Sequence, residues 1–429
     1  MTTDIVNNEA GLLLGEDWRS PLETSVRGCL RGLIEELLEE ELSAALGRAR
    51  YVRLRTAPAS PAVGCEGFGD DPEAADGASA AKGTRNGLRE RTIMGTFGTV
   101  AISVPRARIE TAGGKTTEWV NKTLPRYCRR TKEVDALIAG AYLSGTNTRR
   151  VGRALVALFR GAISKSVVSR VWRKIKGDWD NWNKRDLSKE DIVRLILDGT
   201  VVKVRLDRKA TSISLLVVLG ITRGGQKVLL AVKNMGGESE AAWRTILDDL
   251  TARGLRKPEL VVVDGAPGLE KALVSLWSEL PIQRCTVHKL RNLIAHAPKT
   301  LADEISADFT DMMYAKNAKE VEKRRKSFLK KWRVKCEAVA TSLEEAGNRL
   351  FTFTRLPVAQ WKSARTTNAI ERLHEEFKRR IKTQCVLPSA ETAAMLFWAL
   401  LASGQIVLRK IDGWKTLPVP MVAPIDLAA

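Results

Sequence analysis

DIVRLILDGTVVKVRLDRKATSISLLVVLGITRGGQKVLLAVKNM, residues 191–235, holds three β-branched, apolar runs separated by two short polar turns, DRKA and TRGGQK. Runs of this length and composition, joined this tightly, predict three successive antiparallel strands. The next stretch, ESEAAWRTILDDLTARG at 238–254, has helical spacing and stops at Gly254. ELVVVDGAPGLEKAL at 259–273 then predicts a buried strand running into a helix, and IQRC at 282–285 a short fifth strand.

Three antiparallel strands, a helix and a further strand form the opening of a ribonuclease H-like fold, in which the first and fourth strands lie side by side. Two residues are odd for such a core: Asp198 interrupts the first strand and Asp264 ends the fourth. Burying a carboxylate costs several kcal/mol unless something compensates it, and a divalent cation is a common compensation. As a pair on this strand order the two acids predict a metal site. For Asp264 alone, before Gly265, a turn or helix cap is the rival reading. Hard oxygen donors select magnesium or manganese over zinc. Two such ions, roughly 3.5–4 Å apart, serve the attacking and leaving oxygens of a phosphoryl transfer.

Further along, TTNAIERLHEEFKRRIK at 366–382 sets Ile370, Leu373, Phe377 and Ile381 on one helical stripe, with Glu371 on its flank among many cations. Between the two regions, LADEISADFTDMMYA and AKEVEKRRKSFLKKWRVK within 300–350 also predict helices, the second strongly basic. Cys285 and His288 form a C-x-x-H, half of a zinc site by spacing; no second pair accompanies it, since His296 and His374 stand apart.

Composition narrows the partner. The chain has 429 residues, 44% hydrophobic and 28% charged, with 70 Lys and Arg against 50 Asp and Glu for a formal charge of +20. That length predicts several globular domains, and that charge a polyanionic partner, whose phosphates gain affinity from released counterions. No secretory leader or membrane-length apolar run is evident, so a cytoplasmic protein with no membrane partner is expected. Six cysteines without paired spacing predict free thiols.

Toward the N-terminus, LETSVRGCLRGLIEELLEEELSAALGRAR at 22–50 predicts one or two helices with a leucine-rich packing or self-association face and a solvated glutamate flank. Residues 56–82 read as a flexible linker or insertion. In GTRNGLRERTIMGTFGTVAISVPRAR, 83–108, short strands at Thr92–Met94 and Thr99–Val104 predict a hairpin around Gly95 and Gly98. It carries Arg85, Arg89, Arg91, Arg106 and Arg108, either to track a phosphate backbone or as a solvated ribbon. Two helical segments broken at Gly145, then SKSVVSRVWRKIK capped by Ser164 or Ser166, have a helix-turn-helix layout with Lys165, Arg170, Arg173, Lys174 and Lys176 as candidate DNA contacts.

These residues together resemble the Mutator-type (MULE-related) DDE transposases of bacterial insertion sequences. LDGT at Asp198, VVVDGAPGLEKAL at Asp264, QRCTVHKLRN at 283–292 and RTTNAIERLHEEFKRR around Glu371 fall in that family's order. RNG at Arg85, VPRAR at Val104 and GTNTRRV at Gly145 are similar to its upstream signatures, and the likeness runs from residue 22 to about 405. The chain departs from the pattern at His374, where Asn is expected; His374 there either contacts DNA or fills space.

The resemblance implies an α/β fold: a ribonuclease H-like catalytic core (186–299 and 356–412) interrupted by an all-helical insertion (300–355) that fills the 107 positions between Asp264 and Glu371. Ahead of it come mainly helical DNA-binding domains, with 1–55 for DNA binding or self-association and 126–185 helix-turn-helix-like, and the Arg-rich hairpin region 83–125. Residues 413–429 form a tail. It further implies Asp198, Asp264 and Glu371 as both catalytic residues and ligands of two Mg2+ or Mn2+ ions. Arg324, Arg325, Lys330, Lys331, Arg372, Lys378, Arg379 and Arg380 join Arg85, Arg106, Lys165, Arg170 and Arg173 as DNA contacts, and Trp332 is a candidate to stack on an unpaired base, a Trp on a helix being more often core. Cys285 and His288 become structural residues near the active site. The implied activity is 3′-end cleavage at terminal inverted repeats and strand transfer into target DNA by a nucleoid-associated homodimer or higher oligomer, with double-stranded DNA and no small molecule as substrate. A nuclease of the same fold without strand transfer, and a catalytically silent DNA-binding descendant, are the other classes.

Overall fold

The computed structural model describes residues 21–51, 83–110, 114–124, 129–146, 148–159, 163–206, 209–381 and 389–422. The 56–82 linker, Lys382 and the end of the tail lie outside these. The chain divides into two compact units, Met1–Ala139 with Thr148–Ser169, and Gly140–Asn147 with Arg170–Ala429.

In the first unit a single helix, α1 (Pro21–Leu46), packs on a three-stranded antiparallel sheet of β1 (Gly83–Gly95), β2 (Gly98–Glu110) and β3 (Thr116–Glu118). Gly98, at φ +94°, closes the hairpin opposite Gly95. Both hairpin strands run to 13 residues, well beyond the short strands expected. Their outer halves escape sequence reading because exposed Arg and Glu dilute the apolar alternation, which survives on β2 as buried Val100, Ile102, Val104 and Ala107. Leu38, Leu42 and Leu46 of α1 are buried against that face, whereas Val26, Leu33 and Leu37 are exposed, so the packing stripe is narrower than the leucine pattern. The glutamates read as a solvated flank fasten the helix down. Glu35 accepts the Ser103 amide at 2.7 Å, Glu39 pairs with Arg85, and Glu41 accepts the amides of Lys122 and Thr123.

Helices α2 (Lys132–Leu143), α3 (Thr148–Ala154), α4 (Val156–Phe159) and α5 (Lys165–Asn183) follow. Ser164 caps α5, its Oγ accepting the Val167 amide. The helix then runs past the predicted basic segment because Trp179 is buried, stacked on Trp182 and tilted against Trp398.

The second unit is built on a five-stranded sheet. Strands β4 (Ile192–Leu206), β5 (Lys209–Thr222) and β6 (Lys227–Asn234) form the antiparallel meander; β7 (Leu260–Val263) and β8 (Ile282–Arg284) add in parallel, in the order β6-β5-β4-β7-β8. The first and fourth strands are therefore neighbours. On one sheet face Leu195, Leu197, Leu216, Val218, Val261 and Val263 pack under α6 (Glu240–Ala252) and α7 (Pro267–Leu276), with Trp243 wholly buried. Each such side chain contributes roughly 1.5–3 kcal/mol by leaving water. Period-2 alternation turns Arg194, Ile196 and Asp198 to the other face. There Arg194, 3% exposed, donates to Gln360 of α12 (Val358–Ala364), and α13 (Asn368–Ile381) and α14 (Ala390–Ala402) cover β4. Ile370, Leu373, Phe377 and Ile381 are all buried, as their spacing predicts.

Between β8 and α12 lie α8 (Thr286–Ala295), α9 (Ala302–Met313), α10 (Ala318–Lys335) and α11 (Glu337–Ala346), so the 300–350 stretch is helical. Trp332 is fully buried beside Phe328, its Nε1 donating to Asp308 at 3.0 Å. Of the two roles open to Trp332, stacking on an unpaired base or filling the core, the ring takes the core one. Among the described residues no helix is long and apolar enough to cross a membrane, and Cys29, Cys285 and Cys336 are free thiols.

Candidate active site

Asp198 sits in mid-strand on β4, opposite Val217 of β5. Leu197 is in register with Val263 of β7, and one step further along both strands brings Asp198 beside Asp264. Asp198 is 4% exposed and accepts no hydrogen bond among the described residues. Burial, the Asp264 carboxylate and, more weakly, Glu371 and Glu238 push its carboxyl up to about 7, against a lowering pull from His288. Asp264 also makes the turn that its Gly265 neighbour suggests: Oδ1 accepts the Ala266 amide at 3.0 Å and Gly265 lies at φ +99°. The turn and the placement beside Asp198 therefore coexist in one residue.

Glu371 stands in the first turn of α13, the helix laid across β4. Its Oε1 is 2.7 Å from Arg291 Nη1 and 3.5 Å from His288 Nε2. Cys285 fixes the start of this helix. Its thiol, wholly buried, accepts the Thr367 amide at 3.4 Å, while Thr367 Oγ1 lies 3.4 Å from His288 Nδ1 and the Thr367 carbonyl accepts the amides of Ile370 and Glu371. The Cys285 and Thr286 amides are tied in turn to Val263 and Arg365. Hydrogen bonding to Cys285 and the nearby carboxylates raise His288 to about 9 against the effect of burial. For Cys285, burial pushes the thiol up, but hydrogen bonds from His288 and Thr367 outweigh it and leave it lowered. The C-x-x-H spacing thus sets a short hydrogen-bonded chain from the end of β8 to Glu371.

A fourth acid, Glu238, joins this neighbourhood. Burial and Asp264 raise its carboxyl, and a Cβ at Gly199, next to Asp198, would overlap its carboxylate. Sequence reading misses it because GGES is ordinary turn composition; the only hint is the small residue that follows Asp198.

Among the described residues no three carboxylate, imidazole or thiol groups converge as a finished metal cage. The donor chemistry nevertheless fits a hard divalent cation: oxygen ligands from separate elements, one of them a buried carboxylate without a hydrogen-bond donor. His374 is buried against Phe397, and burial, with Lys378 adding to it, lowers its imidazole to about 3. It fills space.

Beside Glu371 on α13 a cleft of about 650 Å³ is lined by Ile196, Lys227, Lys362, Arg372, Arg379, Arg380, Arg409 and Lys410 among others, with Glu376 and Asp412 as its acids. Arg372 and Arg379 are exposed there, Arg379 and Arg380 both reach Glu376, and Lys378 is partly buried. The four cations of α10 expected to contact DNA differ among themselves. Arg324 pairs with Asp311 and Glu320, Arg325 packs over Phe351 and pairs with Glu322, and Lys331 pairs with Glu304 and Asp308. Lys330 is exposed with no partner among the described residues. Lys165, Arg170 and Arg173 are exposed on α5. In the first unit Arg85 is held by Glu39 and Ser43, and Arg106, paired with Glu118, lines a separate groove of about 490 Å³ with Arg89, Arg91 and Arg129.

Comparison with known proteins places these features in context. Residues 70–406 match the model of the family described as "Transposase, Mutator family". The chain is 30% identical over 375 residues to the transposase for insertion sequence element ISRM5 of Rhizobium meliloti, covering 87% of this chain and 86% of the relative. It is 29% identical over 391 residues to the transposase of IS905 from Lactococcus lactis, covering 91% and 90%. Against the transposase of IS256 in transposon Tn4001 from Staphylococcus aureus the identity is 31% over 323 residues, covering 74% and 80%.

Proposed function

The chain belongs to the Mutator family of transposases, and from that premise we propose that it cuts and joins DNA at a metal-holding triad of Asp198, Asp264 and Glu371 on a ribonuclease H-like core. The observation that carries this reading is Asp198: a carboxylate buried in mid-strand without a hydrogen-bond donor, beside Asp264, under the helix that presents Glu371. Buried acids facing one another are costly to keep and serve little else. The strand order β6-β5-β4-β7-β8, with only its last two pairings parallel, supports the core assignment, and helices α9 to α11 supply the helical insertion between Asp264 and Glu371.

Asp198, Asp264 and Glu371 would hold magnesium or manganese, two ions per site, which when bound supply Lewis-acid charge for in-line phosphoryl transfer. In the first reaction water breaks the phosphodiester at the end of the element, a terminal inverted repeat, and frees a 3′-hydroxyl. In the second that hydroxyl attacks a phosphodiester of target DNA, forming one bond as the other breaks. Cys285 and His288 act as positioning residues, holding Thr367 and hence the first turn of α13. Arg291 and His288 offset charge at Glu371. The basic cleft beside Glu371 suits the phosphate backbone, and the arginine groove of the first unit suits the repeat. Bringing two element ends together calls for a dimer or larger assembly.

The test is incubation of the purified protein with labelled element-end DNA, a target plasmid and Mg2+. Free 3′-hydroxyl ends and joined products are expected, and Asp198→Asn, Asp264→Asn and Glu371→Gln should each remove both. Cleavage without joining would reduce the protein to a nuclease; cleavage undiminished in Asp198→Asn would end the catalytic assignment.

A further inference from the structure

We propose that Tyr314 is a stacking platform for an unpaired nucleobase, presented to the DNA strand that runs along the basic cleft beside α13. This deepens the reading of that cleft as a track for phosphates and rests on it.

Tyr314 directly follows Met313, the last residue of α9, and lines the cleft together with Thr366, Asn368 and Arg372. It is 68% exposed, and no other aromatic side chain stands among the described residues that line the cleft. Under its ring lies Arg365, with the guanidinium carbon 3.8 Å from the ring centroid. A flat ring has two faces. With one against a guanidinium and most of the residue open, the second face can take another planar group.

The support beneath the ring is fixed from several sides. Arg365 is only 6% exposed, and its Nη1 donates to the Met313 carbonyl at 2.7 Å, next to Tyr314 itself. Its amide donates to the Trp361 carbonyl, and its own carbonyl accepts both the amide and the Oγ1 of Thr286 at 2.9 and 3.2 Å. Arg365 therefore clamps the end of α9 to the start of α8 and to the turn that leads into α13. A ring backed by a buried, hydrogen-bonded cation gives up little rotamer freedom when something stacks on it. A tyrosine that served packing alone would bury its ring; this one leaves it open over a charged plane.

The surroundings select the ligand. Exposed Lys362, Arg372 and Arg409 on the same cleft suit phosphates, and the open aromatic face suits a base. Cations that follow a backbone, with an aromatic ring beside them, are the chemistry of single-strand binding. Inside a duplex every base is already covered on both faces, so the ring takes a base that has left the stack. Thr367, whose amide is held by the Cys285 thiol, separates Arg365 from α13. The platform and Glu371 thus stand on either side of one fixed turn, and a base held at Tyr314 would anchor the strand close to that turn.

The experiment measures binding by the full-length protein, in EDTA, to two fluorescein-labelled duplexes that differ only in a short single-stranded 3′ tail. One tail carries adenines and the other abasic sugar-phosphates, so charge is equal and only the bases differ. The parent is expected to bind the adenine tail about 5-fold or more tighter in fluorescence anisotropy. Tyr314→Ala should bind both duplexes as the parent binds the abasic one, and Tyr314→Phe should keep the preference. Tyr314→Leu, which keeps an apolar side chain without a π-face, repeats the test if the alanine variant does not fold. A parent that binds both duplexes alike, or an alanine variant that keeps the preference, overturns the role of Tyr314. The double variant Arg372→Ala with Arg409→Ala tests the underlying reading, since it should weaken both duplexes alike. If it does so while Tyr314→Ala keeps the preference, only the stacking role falls. If it leaves both affinities unchanged, the cleft is no phosphate track and the role of Tyr314 falls with it.

Discussion

At Asp198 the carboxyl is pushed up to about 7 by burial and by Asp264, while in an unfolded chain it titrates near 3.8. Between those two values the folded chain binds the extra proton, so this residue's effect on stability worsens as pH rises through the window. Replacing it with Asn should therefore stabilise the protein in EDTA at pH 7.5, on the order of 2 kcal/mol, and change little below pH 4. Urea denaturation at the two pH values checks it. His374 works in the opposite sense. Its folded value of about 3 lies below the ordinary 6.5, so the unfolded chain takes up the proton first and stability is lost as pH falls from 6.5 toward 3. His374→Leu should flatten that loss, the difference from the parent growing to about 3 kcal/mol by pH 4 in urea titrations. Both aspartates were legible because each breaks an apolar run. Glu238 was hidden in a polar turn, where an acid carries no signal until the strand beside it is in place.

Among the elements, α1 shows what a pattern alone cannot decide. Its leucines repeat around more than one side of the helix, and only packing on the β1–β2 hairpin selects Leu38, Leu42 and Leu46 as core. Leu42→Ala should cost about 3 kcal/mol in urea unfolding, whereas Leu33→Ala, at a residue 53% exposed, should cost less than about 0.5 kcal/mol. Equal losses at both positions would mean that a second surface covers the exposed stripe. The helix holding Glu371 was easier to read, because its four apolar residues fall on a single stripe and all of them are buried. The strands of the meander were equally plain, since each is a dense β-branched run between turns rich in Gly and Lys. The hairpin strands were cut short in the sequence reading because arginines cover their exposed face. Trp332 was left between two roles for a related reason: on a basic helix, sequence does not reveal that Asp308 and Phe328 enclose the ring.

For the molecule as a whole, a formal charge of +20 sets the electrostatics, but many of its cations are already paired. Arg85, Arg324 and Lys331 each answer an acid within the protein, a distribution the composition could not reveal. On the proposed function, the exposed cations of the cleft along α13 would make the phosphate contacts. Affinity for duplex DNA should fall steeply with salt, and the combined variant Arg372→Ala, Arg379→Ala and Arg409→Ala should reduce the log–log salt slope by about 2–3, close to 0.9 per lost phosphate contact. Fluorescence anisotropy between roughly 50 and 200 mM salt measures it. An unchanged slope would place the phosphates elsewhere.

The latch from Cys285 through Thr367 to Glu371 also bears on the order in which the protein comes into being. Asp198 and Asp264 lie within one continuous stretch of sheet and can be in place as soon as β7 has docked, but Glu371 arrives 107 positions later, after α9, α10 and α11. On a ribosome, where domains fold from the N-terminus forward, every chain passes through a stage at which two acids are present and the third is still unmade. If the three acids cut DNA as proposed, that competence is withheld by chain length until α13 has emerged and its first turn has been caught by a thiol that was waiting for it.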